Sequence, residues 1–317
     1  MPSITQLEYI IAVADHRHFA KAAKVRNISQ PTLSQQINKA EDELGIRIFD
    51  RDKKPVLLTQ HGKTIVEQAR TILREHKKLF EFSRQHSGDL AGSFRLGIIP
   101  TVSSMLVPAF VEEFAKSCPK VKLFIDELPT ESLIKNLQTD QLDAAILATP
   151  LNIDGLQEEP LYYETFKIYA SAGHALLKKK ACTRKDLDGR DIWLLRDGHC
   201  FKNQIVKYCS ITVDEALQDR NVHFQSGNLE TLQRLIARGH GFTLIPAFMT
   251  STMSKDDLKD HVTHFTSPEP AREISLVTHR NHWKSKFVDA LRSSILANLP
   301  ATVHKSKNKG LEVLDVC

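Results

Sequence analysis

No stretch of this 317-residue chain approaches the roughly 20 uninterrupted apolar residues that a membrane helix requires; even Leu7–Ala14 is broken by Glu8. Neither a secretory leader nor a membrane partner is expected, and the cytoplasm is the expected compartment. Cysteine is scarce: Cys118, Cys182, Cys200, Cys209 and Cys317 are too few for a disulfide framework in so long a chain. They have no zinc-type spacing, and His279 with His282 is too little for a metal site, so no metal and no cofactor are expected. A large charge excess is missing too. The 43 Lys+Arg against 38 Asp+Glu leave +5, which suits contact with a polyanion without demanding it. Internal repeats are absent. What the chain does have is 41% hydrophobic residues, enough for a substantial core and about two or three domains.

The first 58 residues read as a winged helix-turn-helix. Leu7, Ile10, Ile11, Val13 and Ala14 recur at mostly helical spacing over 4–17, and the alanine-rich 19–25 makes a second short helix. Ser29 can cap a third helix, which tolerates Pro31 in its first turn and stops at Gly45. Residues 47–58 then form two short β segments around a charged turn, with Pro55 at an exposed edge. From 59 to about 86 one apolar stripe, including Ile65, Val66, Ala69, Ile72, Leu73 and Leu79, predicts a long helix that buries its stripe against a partner chain. Glycines and polar residues at 87–93 mark a hinge, so 59–91 is read as a dimerisation linker.

Beyond the hinge, strands are expected at 94–99, 121–127, 144–148, 166–171, 192–195, 222–225, 242–246 and 274–277. Helices are expected at 104–116, 132–142, 229–238 and 282–299. Such alternation implies a parallel sheet covered by helices. We read two α/β lobes, 92–163 plus 269–300 and 164–268, followed by a polar tail, 301–317, to which no fold or role is assigned.

Short polar side chains at the start of a recognition helix meet base edges in the major groove. Gln30, Thr32, Ser34, Gln35 and Gln36, with Pro31 in the same turn, supply them, while Leu33, Ile37 and Ala40 face inward. In the hairpin, Arg51, Lys53 and Lys54 stand where a wing reaches phosphates. The bland alternative is a small helical domain for protein contacts with a solvated glutamine face.

The segments Phe19-Ala20-Lys21-Ala22-Ala23, Ile28-Ser29-Gln30-Pro31-Thr32-Leu33-Ser34-Gln35-Gln36-Ile37, Leu44-Gly45 and Phe49-Asp50-Arg51 resemble the N-terminal domain of LysR-type transcriptional regulators. The resemblance spans the chain and implies an effector domain of two Rossmann-like lobes, similar to periplasmic binding proteins. It also implies a regulator rather than an enzyme, twofold operators in double-stranded DNA, a homo-oligomer (a tetramer built as a dimer of dimers) and contact with RNA polymerase.

Thr101, Val102 and Ser103 follow a strand and open a helix, where a cleft between lobes would hold a small metabolite. The second lobe carries something less usual: Cys200 and Cys209, nine residues apart, with His199 and Lys202 beside the first. Neighbouring cations favour the thiolate. If the segment is helical, the two Cα atoms lie about 13 Å apart along the axis, whereas a disulfide tolerates about 7 Å, so joining them requires refolding. Two readings stand side by side here, unrelated small hydrophobes or a redox switch.

Gly198-His199-Cys200, Cys209, Asp15-His16-Arg17-His18-Phe19, Ile99-Pro100-Thr101-Val102, Leu229-Glu230-Thr231-Leu232 and Pro268-Glu269-Pro270 are similar to the peroxide-sensing members of the family. That similarity implies hydrogen peroxide as the signal, Cys200 as the peroxidatic and Cys209 as the resolving cysteine. It implies Thr101, Thr130, His199 and Arg272 around the peroxide. One departure stands out: Phe201-Lys202-Asn203 replaces the usual leucine, basic residue and aspartate, which removes a carboxylate at 203. A metabolite-gated regulator and a thiol peroxidase are the alternative readings.

Overall fold

The computed structural model describes residues 1–84, 90–187, 189, 191–211, 224, 226–279 and 285–316. The chain divides into two compact units, Met1–Asp89 and Leu90–Cys317.

In the first unit Ser3 and Gln6 close a capping box on α1 (Ile4–His16), and α2 covers Phe19–Val25. Ser29 caps α3 (Gln30–Leu44) by accepting from Thr32 N at 3.2 Å; Pro31 sits in the first turn and Gly45, left-handed at φ 66°, ends the helix. Strands β1 (Phe49–Asp50) and β2 (Leu57–Leu58) pair antiparallel as the wing, and α4 (Gln60–Arg84) follows. Leu7, Ile10, Val13, Ala22, Leu33, Ile37, Ile48, Phe49, Val66 and Ala69 form the core. A Cβ at Gly62 would collide with the Ile48 carbonyl, so glycine is what lets α4 start against the wing. The apolar stripe of α4 divides: Val66 and Ala69 join this core, while Ile72 and Leu79 are exposed.

In the second unit β3 (Gly92–Ile98), β4 (Val121–Glu127) and β5 (Ala144–Thr149) are parallel, joined by α5 (Pro100–Ser117) and α6 (Thr130–Gln138). β6 (Leu156–Ala170) is a 15-residue strand whose first two thirds pair with β9 (Glu269–His279) and whose last third pairs with β7 (Phe242–Pro246). The sheet order is β4-β3-β5-β9-β6-β7, with β8 (Val262–Thr263) on β6. The expected parallel sheet therefore holds for β3, β4 and β5, whereas β6 pairs antiparallel with β7, β8 and β9. β9 runs antiparallel to β5 and β6 because it returns from the second lobe into the first. The other α-helices among the described residues are α7 (Cys200–Cys209), α8 (Leu229–Arg238), α9 (Lys255–His261) and α10 (Ser285–Ala297), set around two large apolar cores.

Two expectations change. Residues 192–195 are not a strand but two isolated bridges, Ile192 to Phe242 and Leu195 to Ser226, and of the expected strand 222–225 only Phe224 lies within the described residues. The polar tail is folded: β10 (Leu311–Val313) extends the sheet parallel to β9, and Val303, Leu311 and Val316 are buried. Few apolar residues suffice because backbone pairing does the anchoring. The last helix is described from Ser285; residues 280–284, where it was expected to begin, lie outside the described residues. No described helix is long and apolar enough to cross a membrane.

Candidate functional site

The segment Cys200-Phe201-Lys202-Asn203-Gln204-Ile205-Val206-Lys207-Tyr208-Cys209 forms α7, which ends at Ser210 in a left-handed conformation. Phe201, Ile205, Tyr208 and Cys209 pack into one core, and Cys200 into the other. The helix thus plugs two lobes at once. Both cysteines are buried free thiols. As the two ends of one helix they lie about 13 Å apart along the axis, and no disulfide joins them without unwinding. Burial pushes the Cys209 thiol up to about 12, with Arg184 opposing, so in this helix Cys209 is protonated at neutral pH.

The two cations expected beside Cys200 are spoken for. Lys202 is buried and donates from Nζ to Asp197 Oδ1 at 2.6 Å, an ion pair that holds the Asp197 carboxyl below its usual range. His199, at the N-cap of α7, is 6% exposed. Burial lowers its pKa, Arg196 lowers it further and Glu127 opposes, so the neutral imidazole is favoured.

Behind α7 lies a guanidinium with no exposed surface. Arg272, on β9, donates from Nε to Glu164 Oε1 at 2.8 Å, from Nη1 to Thr101 Oγ1 at 2.9 Å and from Nη2 to the Thr101 carbonyl at 3.1 Å. Its carbon centre sits 4.7 Å from the Phe201 ring centroid. Burial raises the pKa of Glu164, and Arg272 opposes the shift. Thr130 opens α6; its Oγ1 is buried and has no hydrogen-bond partner among the described residues, as is true of Glu164 Oε2 and Tyr162 OH. Buried polar atoms are nearly always paired, so these three mark spare bonding capacity.

A cleft of about 360 Å³ opens beside this network, lined by Pro100, Thr101, Glu127, Arg196, His199 and Asn228 among others. Ser103 donates to Glu127, holding that carboxylate at the rim. Of the predicted set, Thr101 and His199 line the cleft and Arg272 joins it through Thr101; Thr130 is not among the lining residues. Glu164, Glu127 and Arg196 were not anticipated. For Glu164 a signal exists, a lone carboxylate inside the run Leu161–Ala170, because such a charge is stable only with a buried partner.

In the first unit Gln30, Pro31, Thr32 and Gln35 are exposed along the start of α3, as are Lys53 and Lys54 on the wing. Arg51 does not extend outward as expected. It donates to Ser34 Oγ at 3.1 Å and to Glu41 Oε2 at 3.0 Å, and stacks 4.9 Å from the Phe19 centroid. The reason is Glu41, 1% exposed, which also accepts from Ile48 N at 2.7 Å, Phe49 N at 3.1 Å and Arg47 at 3.3 Å. A buried carboxylate recruits the nearest guanidinium, and the wing is thereby clamped to α3.

Residues 4–63 match the model of the bacterial regulatory helix-turn-helix protein, lysR family, and residues 87–300 that of the LysR substrate binding domain. The chain is 38% identical over 277 residues to the DNA-binding transcriptional dual regulator OxyR of Escherichia coli K12, covering 87% of this chain and 88% of that protein. It is equally similar to the hydrogen peroxide-inducible genes activator of Dickeya chrysanthemi. Among solved structures, full-length OxyR from Pseudomonas aeruginosa superposes with a TM-score of 0.76 at 29% identity, covering 93% of this chain and 98% of that one. A hydrogen peroxide-bound OxyR from Corynebacterium glutamicum superposes at 0.60 and 25%, covering 94% and 92%. With a helix-turn-helix, a two-lobed effector unit and these relatives, the chain belongs to the LysR family of bacterial DNA-binding transcriptional regulators.

Proposed function

We propose that this chain is a hydrogen peroxide-sensing transcriptional activator in which Cys200 is the peroxidatic and Cys209 the resolving cysteine. One observation carries the reading. The two cysteines stand at opposite ends of one buried helix whose N-cap residue, His199, lines a polar cleft, in a chain 38% identical to proteins named hydrogen peroxide-inducible genes activators. Cys200 Sγ attacks one peroxide oxygen, the O–O bond breaks, and sulfur, oxidised by two electrons, becomes a sulfenic acid while the other oxygen leaves as water after protonation. Thr101, the Thr130 hydroxyl and neutral His199 orient the peroxide, and Arg272 stabilises the departing hydroxide. Once α7 unwinds, Cys209 Sγ attacks Cys200 Sγ; the S–S bond forms, the S–O bond breaks, and water leaves with the Cys209 proton.

Gln30, Pro31, Thr32, Ser34 and Gln35 meet base edges of double-stranded DNA, and Lys53 and Lys54 meet phosphates, with Arg51 holding the wing in place. The exposed Ile72 and Leu79 on α4 support pairing of two chains, from which a tetramer of two dimers acts with RNA polymerase in the cytoplasm. Residues 1–58 read DNA, 59–91 link, 92–163 with 269–300 and 164–268 form the lobes, and 301–317 belongs with the lobes.

Peptide mapping after stoichiometric hydrogen peroxide, beside the Cys200→Ser variant, tests this. A selective Cys200–Cys209 crosslink, lost in the variant, is expected. Unreacted cysteines would overturn the peroxide reading in favour of a metabolite in the cleft, and rapid turnover with a reductant would indicate a thiol peroxidase.

A further inference from the structure

α7 is buried on nearly every side, and the polar residues in its interior-facing set need partners. Lys202 has Asp197. Gln204, 1% exposed and midway between the two cysteines, donates from Nε2 to the carbonyl of Leu314 at 3.1 Å. That acceptor lies 110 residues away, in the C-terminal tail. Gln204 Oε1 is buried and finds no partner among the described residues, so this one bond is what its amide has.

The tail is held chiefly by β9 and β6. Leu311, Glu312 and Val313 pair with Glu269, Pro270 and Ala271, Leu314 N donates to the Ala271 carbonyl at 2.8 Å, and His304 exchanges two 2.7 Å backbone bonds with Tyr163. The tail is thus a fixed post, and its pairing with β9 ends one residue before Arg272. Lys207 and Asp315 stand 3.9 Å apart at the surface and add little. Bringing Cys200 and Cys209 from about 13 Å to within about 7 Å requires the middle of α7 to leave its helical position, and Gln204 cannot do so while bonded to a stationary carbonyl.

We propose that Gln204 is a positioning residue for disulfide formation: through Leu314 it ties α7 to the C-terminal tail, and breaking that tie is part of the step in which Cys209 reaches Cys200. The first step, attack of Cys200 on peroxide, takes place at the helix's N-terminal end and does not involve the tie. The tail therefore sets how readily the sulfenic acid is resolved, not how readily it forms.

This inference rests on the proposed Cys200–Cys209 switch, and two steps measured separately keep the two apart. In a Cys209→Ser background, sulfenic acid trapping gives the rate of Cys200 oxidation with and without Gln204→Leu. In the chain with both cysteines, quenched alkylation gives the rate of disulfide formation. Gln204→Leu is expected to leave the first rate within twofold and to raise the second about fivefold, the worth of one buried hydrogen bond. The same factor makes the reduction potential about 20 mV more negative, at 29.6 mV per tenfold for two electrons. A chain ending at Val313 is expected to behave alike, and adding Gln204→Leu to it to change nothing further. If the truncated chain does not fold, the point variant alone decides. Equal changes in both steps, no change in the second, or additive effects of the two alterations would overturn the inference while leaving the switch intact. No disulfide in the wild type would overturn both.

Discussion

Each unit of this protein holds a charged side chain that is almost completely buried, Glu41 in the first and Arg272 in the second, and the two are treated in opposite ways. Glu41 accepts from four donors, two backbone amides and two guanidiniums, with both oxygens engaged. Arg272 is likewise gripped, yet Glu164 Oε2 and Tyr162 OH near it, and Thr130 Oγ1 at the start of α6, have no hydrogen-bond partner among the described residues. A saturated buried charge makes a scaffold, because nothing is left to bond and any motion costs a partner. An unsaturated one makes a site, because a small polar molecule can supply what is missing.

Breaking the saturated centre has the largest expected effect. Glu41→Ala strands two guanidiniums and two amides, and urea denaturation of the full chain is expected to show the first unit destabilised by about 3–5 kcal/mol. A loss below about 1 kcal/mol would remove half of the comparison. Arg272→Met is expected to cost the second unit about 2–4 kcal/mol by leaving Glu164 unpaired, and Arg272→Met with Glu164→Leu to restore most of it, since an apolar pair of similar volume substitutes well for a buried ion pair. Both variants should lose rapid oxidation of Cys200, so stability and response separate.

Thr130→Val sharpens the contrast at a single atom. Removing a hydroxyl with no partner among the described residues is expected to leave stability unchanged or raise it by up to about 1 kcal/mol, while slowing Cys200 oxidation about tenfold. A stability loss instead would mean the hydroxyl already has a use. On the wing, Lys53→Ala and Lys54→Ala should each lower the slope of log affinity against log salt by about 1, as lost phosphate contacts do. Arg51→Ala should instead destabilise the first unit by about 1 kcal/mol, because its guanidinium serves Glu41.

The smallest effect concerns pH. His199 has its folded pKa lowered by burial and by Arg196, so the unfolded chain binds the proton more readily. Stability is therefore expected to be intact above the ordinary value of 6.5 and to decline as pH falls through it; His199→Gln should flatten that decline in thermal midpoints between about pH 7.5 and 5.5. An unchanged slope would assign it to another group.

Much of the first unit was legible because its signals are local. Helical spacing, the Ser29 cap, Pro31 in the first turn and Gly45 at the end fix α3 within a few residues of each other. Glu41 was not legible, since within Glu41-Asp42-Glu43 nothing distinguishes the carboxylate that turns inward. The second unit hid more. Its sheet contains strands distant in sequence, so the antiparallel entry of β9 and the pairing of Arg272 with Glu164, opposite it on β6, could not be read from spacing. The helix joining Cys200 to Cys209 was readable as a condition on geometry, whereas the fates of His199 and Lys202 depended on burial and on Asp197. The tail looked structureless because β10 is three residues long and stabilised by backbone bonds.

The single strand β6 carries a consequence for how such proteins can vary over time. Its 15 residues serve β9 at one end and β7 at the other, with side chains alternating between faces. Inserting or deleting one residue near its middle would turn every side chain beyond that point to the opposite face. Tyr162, Glu164 and Phe166 would fall out of step with Arg272 and Phe201, and one lobe would be misregistered against the other. Descendants of this gene can therefore lengthen or shorten their loops freely, but beyond the register shift that β6 already carries between Pro160 and Tyr162 they can change it only letter by letter.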